Sequence, residues 1–103
     1  MQAPTPHIAK EISESWQADH GPLYRVIIHN DDVTPMDFVI SVLRQIFLLD
    51  GPHAVQVMYT AHFHGSAYVQ TLPMAEAQHR VHRAHYSAAS ARYPLHFTFE
   101  PEG

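Results

Sequence analysis

The chain has 103 residues, a length that fits one domain with a modest core. Apolar residues make up 46% and charged residues 16%, a balance that predicts folding rather than disorder. A formal net charge of −4 with only six Lys and Arg excludes an electrostatic nucleic-acid surface, and the lack of cysteine excludes disulfides, thiolate metal sites and a cysteine nucleophile.

Residues 1–20 carry two prolines, scattered charges and no sustained period, and they predict a flexible N-terminal arm ending at Gly21-Pro22. Trp16 is its one unusual element: it can serve as a docking anchor or fold back on the domain. Residues 21–103 read as the folded unit. No apolar run reaches the length of about 18 residues needed to span a bilayer, and the N-terminus lacks a secretory pattern. The expectation is a soluble, cytoplasmic protein with no membrane partner.

Tyr24–His29 is rich in β-branched residues and predicts a strand. Thr34 as N-cap, Pro35 at the first helical position and Asp37 behind it predict a helix start. That helix is expected to run to Leu48, with Phe38, Val39, Val42, Leu43, Ile46 and Phe47 on one stripe. Asp50-Gly51-Pro52 breaks it and starts the next one. A second helix over 53–61 would turn Val55, Met58 and Ala61 inward, and Gly65 ends that segment. Ala67–Leu72 predicts a second strand. Pro73 opens a third helix, to Ala91, with small or branched residues Ala77, Val81, Ala84 and Ala88 at helical spacing. Leu95, Phe97 and Phe99 alternate with His96 and Thr98 and predict a third strand. The order is β-α-α-β-α-β: an α+β domain with three helices on one face of a small, mostly antiparallel three-stranded sheet.

Asn30-Asp31-Asp32-Val33-Thr34-Pro35-Met36 concentrates two carboxylates, a primary amide and a thioether at one strand-to-helix turn. A solvated turn whose carboxylates favour the helix N-terminus accounts for part of this pattern. A binding site for an amine accounts for more. A free α-amine is mostly cationic at neutral pH and offers three N–H donors. A carboxylate, an amide oxygen and a neutral imidazole match them. His62 is the candidate imidazole, because Met58 and His62 share one helix face. Read alone, His62 is an ordinary surface or capping histidine, so the argument needs both segments together.

Together they resemble the ClpS adaptor family, the bacterial N-degron recognition proteins. The residues that carry the resemblance are Asn30-Asp31-Asp32-x-Thr34-Pro35-Met36-x-Phe38-Val39. The spacing on to Met58 needs no insertion, and His62, Gly65 and Pro94-Leu95 fall in place, so the likeness spans Leu23 to Phe99. The resemblance implies an adaptor, not an enzyme, with no cofactor. Such an adaptor binds the first residue of proteins beginning with Leu, Phe, Tyr or Trp and delivers them to a Clp AAA+ unfoldase and its peptidase. It implies Asn30, Asp32 and His62 for the substrate α-amine, with Asp31 near the amine or first peptide group. It implies Ile28, Thr34, Met36, Val39, Met58, Ala61 and Leu95 for the side-chain pocket, with Met36 refusing β-branched residues. The partner implied is the N-terminal domain of a ClpA- or ClpC-like unfoldase, met through the third helix.

Two positions depart from the family pattern. Ala61 stands where valine usually precedes the site histidine, which implies a roomier pocket with more tolerance for Trp or Tyr. The third helix shows Ala75-Glu76-Ala77-Gln78-His79-Arg80 where Glu-x-x-Glu-x-Lys is usual, so docking through Glu76 and Arg80 is in doubt.

The chain's ten histidines raise a metal reading at His62-x-His64 and at His79, His82 and His85. No carboxylate or cysteine completes a tetrahedral set, so no metal is expected. Neutral His62 would stop accepting once protonated, so peptide binding should weaken at acid pH. Two other classes compete with the adaptor. One is an enzyme using Asp31, Asp32 and His62, for which no nucleophile elbow, phosphate loop or HExxH string is present. The other is a generic protein-interaction domain of ribosomal-stalk type, which shares the element order but does not need the Asn-Asp-Asp-x-Thr-Pro-Met string.

Overall fold

The structure is a computed structural model, and it describes residues 21–103. The arm at 1–20 and Trp16 lie outside the described residues. The elements are β1 (Leu23–His29), α1 (Met36–Gln45), α2 (Gly51–His64), β2 (Ser66–Pro73), α3 (Met74–Ser90) and β3 (His96–Pro101). The order matches the sequence reading. The sheet runs β2-β1-β3, and both pairings are antiparallel. The first strand is thus central, and its end is flanked on both sides.

Val26 and Ile28 of β1 are buried at period-2 spacing, and Leu23, at the start of the strand, is buried outside that alternation. The register slips between Val26 and Ile27 against β2, a bulge that lets Val69 stay in the core. Phe47 and Phe97 stack with ring centroids 4.8 Å apart at the centre. In α3, Ala77, Val81, Ala84 and Ala88 are all buried, and their small side chains let the helix sit close on the sheet.

Helix boundaries differ from expectation in three places, each for a local reason. The α1 cap is Pro35, in extended conformation with no side-chain cap bond, because the Thr34 hydroxyl instead donates to Asp31 Oδ2 at 2.9 Å. Helix α1 stops at Gln45 rather than Leu48. Leu48 takes a left-handed φ of 60°, and the chain turns there so that Ile46 and Phe47 reach the core. Helix α2 is longer than 53–61. Asp50 accepts from His53 N at 2.8 Å, and Pro52 suits the first turn, so Asp50-Gly51-Pro52 starts the helix as expected, with Gly51 and Pro52 already inside it. The buried face of α2 is Ala54, Val57, Met58 and Ala61. Val55, expected inward, sits with Tyr59 and Phe63 on the exposed face.

Candidate functional site

The β1–α1 turn and the last turn of α2 meet through one backbone bond. Asn30 N donates to Gly65 O at 2.9 Å. Gly65 is the α2 C-cap, with φ 89° and its own N–H given to Ala61 O at 2.8 Å. That left-handed cap is a conformation glycine adopts without strain. It aims the end of α2 at the end of β1.

Between these segments lies a cavity of about 290 Å³. Its lining includes Asn30, Asp31, Asp32 and His62, and also Ile28, Thr34, Met36, Val39, Met58, Ala61 and Leu95. Every residue assigned to amine or side-chain binding by sequence is therefore on this one hollow. Burial divides them by chemistry. Ile28, Val39, Met58, Ala61 and Leu95 are buried and form an apolar floor. Asn30, Asp32 and His62 are exposed and form a polar rim. Met36, 44% exposed in the first turn of α1, lines the cavity with its flexible thioether.

The turn itself is built by Asp31. Its Oδ1 accepts from Val33 N at 2.9 Å and Thr34 N at 2.7 Å, and its Oδ2 accepts from the Thr34 hydroxyl at 2.9 Å. This is an Asx turn closed by a side-chain bond. It bends the chain so that Asp32 stays free at the rim while Pro35 starts α1. His62 is braced on its other flank by Phe63, edge-on with centroids 5.1 Å apart, and Phe63 stacks in turn on Tyr59 at 6.1 Å.

His29 also lines the cavity and was not among the sequence-assigned residues. Its position at the end of β1, beside Asn30, was the available signal. It bonds to Thr98 Oγ1 through Nε2 at 2.7 Å. Glu76 and Arg80 lie elsewhere, on α3. Arg80 Nε donates to Glu76 Oε1 at 2.8 Å and another guanidinium nitrogen donates to Gln70 Oε1 at 3.0 Å. Gln70 Nε2 in turn donates to Phe47 O at 3.0 Å, so Arg80 helps tie α3 and β2 to the end of α1. Among the described residues, no three His, Asp or Glu side chains are grouped to hold a metal ion, and no helix is long and apolar enough to cross a membrane.

Comparison with known proteins adds an independent line. Residues 19–98 match the family model for the ATP-dependent Clp protease adaptor protein ClpS. The ATP-dependent Clp protease adapter protein ClpS 2 of Mesorhizobium japonicum is 40% identical over 86 residues, covering 84% of this chain and 85% of that one. ClpS 1 of Rhodopseudomonas palustris is 41% identical over 80 residues, 78% of each chain. The solved structure of Agrobacterium tumefaciens ClpS2 bound to L-phenylalaninamide superposes with a TM-score of 0.76 at 40% identity, covering 79% of this chain and 98% of that one. Motif, topology and likeness agree: the chain belongs to the ClpS family of Clp protease adaptor proteins.

Proposed function

We propose that the cavity captures the first residue of protein substrates beginning with Leu, Phe, Tyr or Trp, and that the chain delivers them to a Clp AAA+ unfoldase for degradation. The observation that carries this reading is the division of one cavity into a rim of hydrogen-bond acceptors and a buried apolar floor. A cationic α-amine fits the rim, given to Asn30, Asp32 and His62, with Asp31 holding the turn that presents them. The first side chain fits the floor. Phenylalaninamide, the carboxamide of one such residue with its α-amine free, is bound by the Agrobacterium relative, which supports the same assignment here.

The energetics suit capture followed by release. Charge-assisted hydrogen bonds contribute about 1.5–3 kcal/mol each. Burying a Leu or Phe side chain adds about 1.5–3 kcal/mol. Ordering the peptide end and losing its free motion offsets several kcal/mol of this. Three such bonds and one side chain contribute about 6–12 kcal/mol before that offset, so the remainder is at most about 8 kcal/mol, a Kd of about 1 μM or weaker. Such a complex selects its substrate and still lets go.

Relatives of this chain are adaptors of the Clp protease. The finer partner we assign is the N-terminal domain of a ClpA- or ClpC-like unfoldase. The adaptor itself breaks no bond. Glu76, half-exposed and paired to Arg80, lies on the part of α3 to which we assign that docking. A ribosomal-stalk type of interaction domain has no observation in its favour, since it needs no acceptor-rimmed cavity.

The test is a fluorescence titration with a labelled peptide beginning with Phe, competed by the same peptide beginning with Leu, Trp or Ser. Micromolar binding, with competition by Leu and Trp but not Ser, is expected. Equal competition by Ser would overturn the reading.

A further inference from the structure

Three imidazoles form a column from α3 to the cavity. His85 on α3 stacks on His96 of β3 with centroids 5.2 Å apart and planes 3° from parallel. His96 faces His29 of β1 at 5.5 Å. His29 lines the cavity beside Asn30. The inner end of the column has a structural duty. β3 is an edge strand, and Phe97 donates its backbone N–H to His85 Nε2 at 2.9 Å. An accepting Nε2 makes His85 neutral with its proton on Nδ1, and an imidazolium has no acceptor nitrogen. Phe97 pairs with Ile28, and Leu95 lies just before β3; both Ile28 and Leu95 belong to the cavity floor.

We propose that His85, His96 and His29 are a proton-operated positioning element, which holds the cavity in its binding shape while neutral and loosens it on acidification. The proposal rests on the peptide-binding reading above. Protonating His85 breaks its bond to Phe97 and frees the start of β3, next to Leu95. Protonating His29 places a positive charge on the wall of the cavity that is to receive a cationic amine. The groups facing one another are His82 and His85 on α3, His96 on β3 and His29 on β1, all able to become cations. The counter-charges at the outer end are Asp31 and Asp32, which share the cavity with His29 and His62. Burial and the neighbouring His96 and His82 both hold His85 toward its neutral form, so the column favours the binding shape near neutrality.

The effect is separable from protonation of His62. His85→Gln keeps an acceptor for Phe97 but cannot titrate, and His96→Gln removes the middle charge. In the full chain, the affinity for a labelled Phe-starting peptide is measured by anisotropy between about pH 8 and 5.5, across the histidine range. At pH 8 the double variant should bind as the wild type does. At pH 5.5 the wild type should have lost about tenfold more affinity than the double variant, the effect of one pKa unit of coupling. Superimposable profiles would overturn the proposal. Failure of the wild type to bind at pH 8 would instead count against the peptide-binding reading. Should the double variant not fold, the wild type suffices: the amide exchange protection of Phe97 should fall as His85 titrates, and constant protection to pH 5 would equally overturn it.

Discussion

Asp31 separates two accounts of the acidic turn, because its carboxylate accepts three bonds from its own loop. If its role is to shape the turn, what matters is acceptor geometry. Asp31→Ala deletes all three bonds, and at about 0.5–1.5 kcal/mol each in a partly exposed loop this removes about 1.5–4.5 kcal/mol of order. A binding site that needs the ordered loop then loses affinity about 10- to 2,000-fold. Asp31→Asn keeps an oxygen for the Val33 and Thr34 N–H groups and gives up the acceptor of the Thr34 hydroxyl. Its loss should be about 0.5–1.5 kcal/mol, or 2- to 12-fold. If the charge of Asp31 acted directly on the substrate amine, Asn would be nearly as damaging as Ala. Isothermal titration of both variants with a Phe-starting peptide distinguishes the cases. A loss in Asn equal to that in Ala would refute the loop-shaping argument, and so would two harmless substitutions.

Met36→Ala should raise affinity for peptides beginning with Ile or Val if the half-exposed Met36 on the cavity lining is the gate; an array varying only the first residue reads this, and no rise removes Met36 from the gate. Ala61→Val puts two methyl groups into the buried wall. It should lower Trp binding relative to Leu by about 1–3 kcal/mol, measured by competition, and an unchanged ranking would refute the roomy-pocket argument. The pH dependence of stability carries a sign. Burial, His96 and His82 hold His85 below its ordinary value of 6.5, so the folded state binds fewer protons there than the unfolded chain. The stabilisation is full above about pH 6.5 and is lost as pH falls below it, so thermal midpoints of the wild type should fall more steeply than those of His85→Gln over that window.

Much of the fold was legible because burial and period coincide. The α3 stripe of Ala77, Val81, Ala84 and Ala88 and the β3 alternation are direct imprints of one-sided packing. Helix ends were less legible. Thr34 has the side chain of an N-cap, but Asp31 competes for its hydroxyl and wins, and nothing in local propensity ranks those two bonds. Helix α1 ends without a glycine, so Leu48 gave no stop signal. On α2, Val55 and Ala54 are neighbours of similar apolarity, and packing against both β2 and α1 decides which of them turns inward. The site was legible because its motif is dense and contiguous. His29 and the column behind it were not, since the contact of residues 29 and 96 is set by sheet register and that of 85 and 96 by the packing of α3 on the sheet, neither by sequence spacing.

The central claim is that a free α-amine and an apolar side chain are recognised together in one hollow. Acetylating the N-terminus of a Phe-starting peptide tests it most directly. Acetylation deletes the cation and leaves the acceptors of Asn30, Asp32 and His62 unmatched while the side chain stays the same. The account predicts that the acetylated peptide binds at least about 100-fold more weakly, the loss of two charge-assisted bonds. Equal binding of the free and acetylated peptides would contradict it.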